Sequence, residues 1–228
     1  MNAVARVIEP SQAVLRWVNA PCQDRTRKSL GRFLDAAEDI LEERSFEEAS
    51  IADIARAAGS SVGAFYRRFG DKPGLLRALH ERFCEDADAT GADALDPERW
   101  RGASLGELLD AMTLFLVEIY RERGGLFRSL MSEAAKDENL RLRTQALYET
   151  IAARMTTLLV ERRAEFTHPD PERAAMFGIR LVLGTLDHTI QLQPRKLPLS
   201  DAELGGELIR AFRGYVGVVE PGRLSSVR

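Results

Sequence analysis

The clearest binding chemistry in this chain lies in the aromatic and basic segment FYRRFGDK. Guanidinium and ammonium groups bind phosphate oxygens, and a phenol can bond to the same backbone. Phe65 and Phe69 are four residues apart, so both would face a core if the segment were helical. Tyr66, Arg67 and Arg68 would then point partly outward. The pattern indicates a helix that presents a face for nucleic acid.

Two short helices separated by a glycine turn are predicted around this segment. Ser50, followed three residues later by Asp53, is a capping-box pattern that would begin the first helix. Gly59 suits the left-handed conformation that ends a helix, and Ser61 is the expected N-cap of the second. A third helix would begin near Lys72. This is the layout of a helix-turn-helix, whose second helix enters the DNA major groove.

Gly63 lies inside the second predicted helix, where a glycine costs about 1 kcal/mol relative to alanine. Packing alone gives a poor reason for a glycine at this position. Close approach of the helix backbone to a DNA strand gives a better one.

From Leu30 to Leu79 the sequence resembles the DNA-binding domain of TetR-family transcriptional regulators. In that family a helix ends in Ala-Gly and is followed by a serine, a glycine, an apolar residue, a tyrosine, an aromatic residue and a lysine. The matching positions here are Ala58, Gly59, Ser61, Gly63, Phe65, Tyr66, Phe69 and Lys72. With the basic residues before the first long helix, the candidate DNA-binding residues are Arg25, Arg27, Lys28, Ser50, Ser61, Val62, Gly63, Ala64, Tyr66, Arg67 and Lys72.

Three positions depart from the family pattern. Ser60 stands where the turn usually carries an apolar residue, Val62 where a polar or basic residue is common, and Ala64 where a hydroxyl residue is common. Val62 and Ala64 can contact thymine methyl groups, but they weaken readout by hydrogen bonds. A second interpretation therefore stays open, in which the chain is an all-α ligand-binding or interaction protein whose helix-turn-helix no longer binds DNA.

The net charge of −3 gives no overall attraction to nucleic acid. Whether the chain can bind DNA therefore depends on how its charges are distributed. One basic cluster, formed by Arg25, Arg27 and Lys28, precedes the first long helix. A second cluster surrounds the predicted recognition helix. If the fold brings both clusters to one face, they form a phosphate-binding surface; otherwise they are ordinary solvated charges.

Catalytic and metal-binding patterns are absent from the sequence. Its three histidines are far apart, and it has no glycine-rich phosphate loop and no Cys-x-x-Cys pair. We interpret the carboxylate pairs Glu42–Glu43 and Glu47–Glu48 as hydrated surface, and Cys22 and Cys84 as free thiols in a reducing compartment. No apolar run approaches the roughly 18 residues of a membrane span, and no signal-peptide layout is present. We expect a cytoplasmic, non-enzymatic protein without cofactor or metal.

Apolar residues at helical spacing predict an all-α fold throughout. Residues 1–24 are predicted to be a tail, residues 25–71 a three-helix DNA-binding domain, and residues 72–228 a helical ligand-binding and dimerisation domain. The stretch Asp86–Gly102, rich in Asp, Ala, Gly and Pro, is predicted to be a loop or a frayed helix end. Asp170 and Ser200 are the predicted caps of the last two helices.

The resemblance implies that the middle helices enclose a ligand pocket and that the last two helices pair with a second subunit. The dense apolar residues of those last two helices would form that interface or complete the subunit's own core. Methionines and aromatic residues suit an adaptable apolar site, although core packing explains any one of them equally well. The ligand-binding candidates are Met112, Phe115, Leu116, Tyr120, Phe127, Met131, Tyr148, Met155, Phe177, Leu181 and His188. His188 and its neighbour Asp187 would either orient the ligand by hydrogen bonds or form a polar pair that is exposed or satisfied within the protein.

The sequence thus predicts a homodimeric transcriptional repressor that binds a near-palindromic operator in double-stranded DNA. A small apolar or amphipathic ligand would release it. Each subunit would present residues 62–68 to one half-site, and Ser50, Tyr66 and Lys72 would fix the DNA backbone.

Overall fold

The computed structural model of the protein describes residues 25–191 and 199–218, with the backbone alone at residues 25–29 and 191. Over these residues the chain forms nine α-helices, two 3-10 helices and a single isolated bridge between Phe166 and Val218. The all-α prediction is confirmed. The predicted tail, residues 1–24 with Cys22, lies outside the described residues. The helices are α1 (Arg25–Glu43), α2 (Ile51–Ala57), α3 (Val62–Phe69), α4 (Lys72–Ala94), α5 (Leu105–Glu122), α6 (Gly124–Ala134), α7 (Glu138–Val160), α8 (Pro171–Gln191) and α9 (Asp201–Val216), with 3-10 helices at Pro97–Trp100 and Arg163–Glu165.

The chain divides into two compact units. The first contains residues 25–87 together with Arg123–Ala146, and the second contains Asp88–Glu122 and the described residues from Leu147 to Val218. The start of α4, all of α6 and the start of α7 therefore pack with the helix-turn-helix. The functional division between residues 71 and 72 stays a prediction.

An aromatic cluster forms the centre of the helix-turn-helix. Phe33 of α1 meets Phe65 and Phe69 of α3 edge-on, with ring centroids 5.8 Å and 5.6 Å away. Phe33 and Phe65 are fully buried, as is Leu41, about two turns further along α1. Burial of these rings fixes α3 against α1 and leaves the opposite face of α3 in solvent.

The second unit has its core between α5, α8 and α9. Leu204, Leu208 and Phe212 of α9 are buried within the subunit itself. The Phe212 ring lies so close to Gly178 of α8 that a β-carbon there would fall 1.8 Å from its Cε2. These residues of α9 therefore complete the subunit's own core and do not form the predicted interface with a second subunit.

The predicted loop or frayed end at Asp86–Gly102 is wrong for residues 86–94, which belong to α4, whereas residues 95–102 lie outside the α-helices, in turns and a 3-10 helix. Helix α4 continues to Ala94, because Arg154 of α7 donates hydrogen bonds to the Asp88 carbonyl and carboxylate, at 3.1 Å and 2.8 Å. The indole of Trp100 donates to the Ala94 carbonyl at 2.8 Å and so satisfies an acceptor at the helix end. These long-range contacts outweigh the turn-forming composition.

Candidate functional site

Both predicted N-caps of the helix-turn-helix are present. The Ser50 hydroxyl accepts from the Asp53 backbone N–H at 3.0 Å and donates to the Asp53 carboxylate at 2.7 Å. This hydrogen bond, with the nearby Arg56, lowers the pKa of the Asp53 carboxyl. The Ser61 hydroxyl accepts from the Ala64 N–H at 3.1 Å, and Gly59 has the left-handed φ of +57°. The turn between α2 and α3 is thus set by local side-chain chemistry.

Helix α3 presents a polar and small-residue face to solvent. Val62 is 41% exposed and Tyr66 is 51% exposed, while Phe65 between them is fully buried. Gly63 and Arg67 are also exposed. The N-terminal turn of α3 therefore offers its side chains outward, which is the orientation that base contacts in a major groove require.

The fold itself gives no reason for Gly63. A β-carbon there would meet the Arg67 guanidinium at 3.6 Å and the Ser61 hydroxyl at 4.0 Å, which are ordinary contacts. The helix could therefore accept an alanine at this position without any steric cost. A glycine at an exposed helical position remains consistent with close approach of another molecule.

Lys72, at the start of α4, is held by the loop that precedes α2. Its ammonium donates to the Glu47 carbonyl at 3.1 Å and lies 4.6 Å from the centre of the Phe46 ring. Partial burial lowers the pKa of Lys72, and the nearby carboxylates of Glu47 and Glu133 partly offset this. Lys72 therefore joins two parts of the DNA-binding helices in the free protein. Its contact with DNA phosphate stays a prediction.

The first basic cluster is described by its backbone alone. Arg25, Arg27 and Lys28 lie in the first two turns of α1, but the description of their side chains begins after residue 29. Arg67 is exposed and Arg68 is half-buried. A common phosphate-binding surface for the two clusters stays a prediction.

Glu42 is exposed, as predicted, but its carboxylate also makes hydrogen bonds within the protein. Its carboxylate accepts from the backbone N–H groups of Gly125 and Leu126, at 3.0 Å and 3.2 Å, and so caps the N-terminus of α6. Gly125 itself is required, because a β-carbon there would lie 2.0 Å from the Leu41 carbonyl oxygen. The end of α1 is thereby docked on the start of α6.

A shared carboxylate strengthens the same junction. Glu38 of α1 accepts from Arg82 of α4 at 2.6 Å and from Arg123, just before α6, at 2.7 Å. The partners are 44 and 85 residues from Glu38 in the sequence. Local patterns give no signal for such pairs, which is why sequence analysis missed them.

The predicted ligand-binding residues fall into both compact units. Phe127 and Met131 belong to the first unit, where the Phe127 ring meets the Phe83 ring at 5.0 Å. In the second unit Met112, Tyr120 and Met155 are buried, whereas His188 is exposed. The second unit also contains Phe115, Leu116, Tyr148 and Leu181, which are half-buried.

Phe177 lies on the surface rather than among buried side chains. It is 52% exposed and its ring stacks at 5.0 Å on the ring of Tyr215 from α9. Neighbouring Met176 is 48% exposed. These two residues form an exposed apolar patch on α8 instead of lining an interior.

Asp187 forms a polar cluster with two of the predicted ligand-binding residues. Its Oδ1 accepts from the Tyr120 hydroxyl at 2.6 Å and from the Tyr148 hydroxyl at 3.2 Å, and the two hydroxyls are 3.1 Å apart. Burial raises the pKa of Asp187, and the two phenols partly offset the rise. Burial also raises the pKa of Tyr120 well above its usual value. Sequence analysis placed Asp187 in the site but did not find its partners.

The part of the chain that the structure describes contains neither a membrane-spanning helix nor a metal site. No helix there has the length and apolar character to cross a membrane. No group of His, Cys, Asp or Glu within residues 25–191 and 199–218 is arranged to hold a metal ion.

An exposed second helix in a helix-turn-helix, joined to a further all-helical region, defines a helix-turn-helix transcription regulator. The family described as "Bacterial regulatory proteins, tetR family" matches residues 33–79, and "Tetracyclin repressor-like, C-terminal domain" matches residues 104–215. The chain belongs to the TetR family of transcriptional regulators.

Known relatives agree with this assignment. The chain is 44% identical over 50 residues to the uncharacterized HTH-type transcriptional regulator YwcC of Bacillus subtilis (strain 168), and this segment is 22% of each protein. A TetR-family regulator from Mesorhizobium loti MAFF303099 has a TM-score of 0.69 at 17% identity, covering 86% of this chain and 98% of that one. A TetR transcription regulator from Haloarcula marismortui ATCC 43049 has a TM-score of 0.63 at 20% identity, covering 84% and 98%. At these identities the structures establish the common fold.

Proposed function

We propose that this TetR-family regulator acts in the cytoplasm as a homodimeric repressor that a small ligand releases from DNA. Each subunit inserts the N-terminal turn of α3 into the major groove of one half-site. The C-terminal helices bind the ligand, which favours a conformation with lower affinity for the operator.

The exposed face of α3 is the observation that carries this proposal. Val62, Gly63 and Tyr66 are in solvent, while Phe65 and Phe69 anchor the opposite face to Phe33. A short helix whose outward side chains are all small, aromatic or basic suits contact with base edges and phosphates.

The exposed faces of α8 and α9 support dimerisation. Because Leu208 and Phe212 are buried within the subunit, a second subunit would pack on the other side of these helices. That side carries Met176 and Phe177, and exposed Gly206 on α9 would let a partner backbone approach closely. An isologous interface of this kind would set the spacing of two recognition helices on a near-palindromic operator.

A gel-shift titration with the DNA upstream of the protein's own gene tests the DNA-binding proposal. The decisive variant is Ala64→Glu. Ala64 is the third residue of α3 and its N–H is capped by Ser61, so a glutamate there suits the helix start while placing a negative charge beside the DNA. We expect normal folding and loss of specific binding.

Ala153→Glu is the matched control, because Ala153 is an exposed helical alanine on α7, outside the helix-turn-helix. It adds the same charge and should bind the operator as the wild type does. Wild-type affinity in Ala64→Glu would show that α3 does not read the DNA. Failure of the wild-type protein to bind any DNA in a salt-dependent manner would favour the alternative of a ligand-binding protein without DNA affinity.

A further inference from the structure

The polar cluster of the second unit contains a negative charge that is held by neutral groups. The Asp187 carboxylate receives hydrogen bonds from Tyr120 and Tyr148, which come from α5 and α7, and both bonds end on the same oxygen, Oδ1. Among the described residues, no guanidinium or ammonium group forms an ion pair with Asp187.

The surroundings of Asp187 make such a charge costly. Leu183, Leu186 and Ile190 on the same helix are all buried, and Tyr120 is almost completely buried. A carboxylate in an apolar setting is stable only if paired or well solvated, and phenolic donors replace part of its lost hydration. The second unit shows the more usual solution at Asp110, which receives two hydrogen bonds from the Arg213 guanidinium at 2.7 Å and 2.9 Å.

A ligand with a positive charge would supply a counter-charge that none of the described residues provides at Asp187. The aromatic rings of the two tyrosines would add attraction through their negative faces. We propose that Tyr120, Tyr148 and Asp187 recognise the cationic head of an amphipathic organic amine. This inference rests on the proposed function, because it names the class of ligand that the C-terminal helices bind.

The same cluster discriminates against other ligands. An anionic head would lie beside an unneutralised carboxylate and would be repelled. A neutral hydroxyl can donate a hydrogen bond but brings no charge, so it gains less from the same oxygen. Preference should therefore fall in the order cation, neutral alcohol, anion for ligands with one apolar body.

Three probes with the same apolar body test this order: 4-phenylbutylamine, 4-phenylbutanol and 4-phenylbutyrate. Isothermal titration calorimetry of the full chain at neutral pH, where the amine is protonated, gives each affinity. We expect the amine to bind most tightly. Asp187→Asn keeps a carbonyl acceptor for the tyrosine hydroxyls but removes the charge, and should weaken amine binding by about ten- to a hundredfold without changing alcohol binding.

Glu172→Gln is the matched control, because it removes one negative charge from an exposed position on the same helix. It should leave amine binding unchanged. The inference is overturned if the wild-type protein binds no amine at the solubility limit of the probe, or if the alcohol or carboxylate binds as tightly. It is also overturned if folded Asp187→Asn keeps full amine affinity, in which case the cluster only braces three helices.

If Asp187→Asn loses cooperative melting, the affinities of the three probes for the wild-type protein still test the cation site. A separate gel shift distinguishes this inference from the proposed function. Amine binding that leaves operator affinity unchanged supports the cation site and contradicts ligand release. Operator binding that only the neutral or anionic probe releases overturns the cation site and leaves the repressor proposal standing.

Discussion

Lys72 is expected to stabilise the free protein as well as to contact DNA, and Lys72→Met separates the two roles. Methionine keeps an apolar stem against Phe46 but removes the ammonium that donates to the Glu47 carbonyl. Loss of this hydrogen bond, which is exposed but has a charged donor, costs about 1 kcal/mol, and loss of the cation–π contact costs about another 0.5 kcal/mol. For a chain of this size, the melting temperature should then fall by about 3–6 °C.

Thermal unfolding without DNA, followed by circular dichroism, measures the stability role. Arg77→Met is the matched control, since Arg77 lies on the same helix and makes only an exposed ion pair with Asp71 at 3.5 Å. Its melting temperature should change by less than about 1 °C, because exposed pairs contribute little. An unchanged melting temperature in Lys72→Met would refute the stabilising role that we infer from the Glu47 contact.

The dependence of operator affinity on salt measures the DNA role of Lys72. If the ammonium also meets a phosphate in the complex, Lys72→Met should reduce the slope of log affinity against log salt by about one unit. A reduced affinity with an unchanged slope would mean that Lys72 only positions the loop before α2. Thermal unfolding and the salt dependence of operator affinity together show which of the two roles Lys72 has.

Three other predictions follow from the described contacts. Burial lowers the pKa of His80, so protonation of this histidine favours the unfolded chain. The contribution of His80 to stability should be complete above about pH 6.5 and should fall as the pH drops. In His80→Gln, the melting temperature should depend less steeply on pH. Phe177→Arg should give a folded monomer by light scattering, whereas Leu208→Glu should lose cooperative melting because that side chain is buried. Glu42→Gln should lower the free energy of unfolding by about 1 kcal/mol, measured in urea, because it weakens the cap of α6; an unchanged midpoint would show that water replaces the carboxylate.

The sequence alone determined the helix-turn-helix. Ser50, Ser61 and Ser200 cap the helices that their patterns predicted, and Gly59 adopts the predicted left-handed conformation. Such features depend on hydrogen bonds and backbone preferences within four residues, so the local sequence is sufficient to predict them. The aromatic spacing of Phe65 and Phe69 likewise predicted which face of α3 packs inward.

Only the tertiary structure decided which apolar and polar side chains meet. Periodicity identified the apolar stripe of α9, but it could not show whether this stripe packs in the subunit's own core or against a second subunit. The close contact between Phe212 and Gly178 shows that Phe212 packs in the subunit's own core. Its aromatic side chain placed Phe177 among the ligand-binding candidates, and only the structure shows that this side chain is 52% exposed.

The polar contacts show the same limit most clearly. Glu42 finds the N-terminus of α6 across 83 residues, and Asp187 finds Tyr120 across 67. Their partners are set by how distant helices pack, and neither carboxylate has a local pattern that names its partner. Short-range chemistry therefore determines the DNA-binding motif, whereas the packing of distant helices decided which charged side chains meet and stabilise the fold.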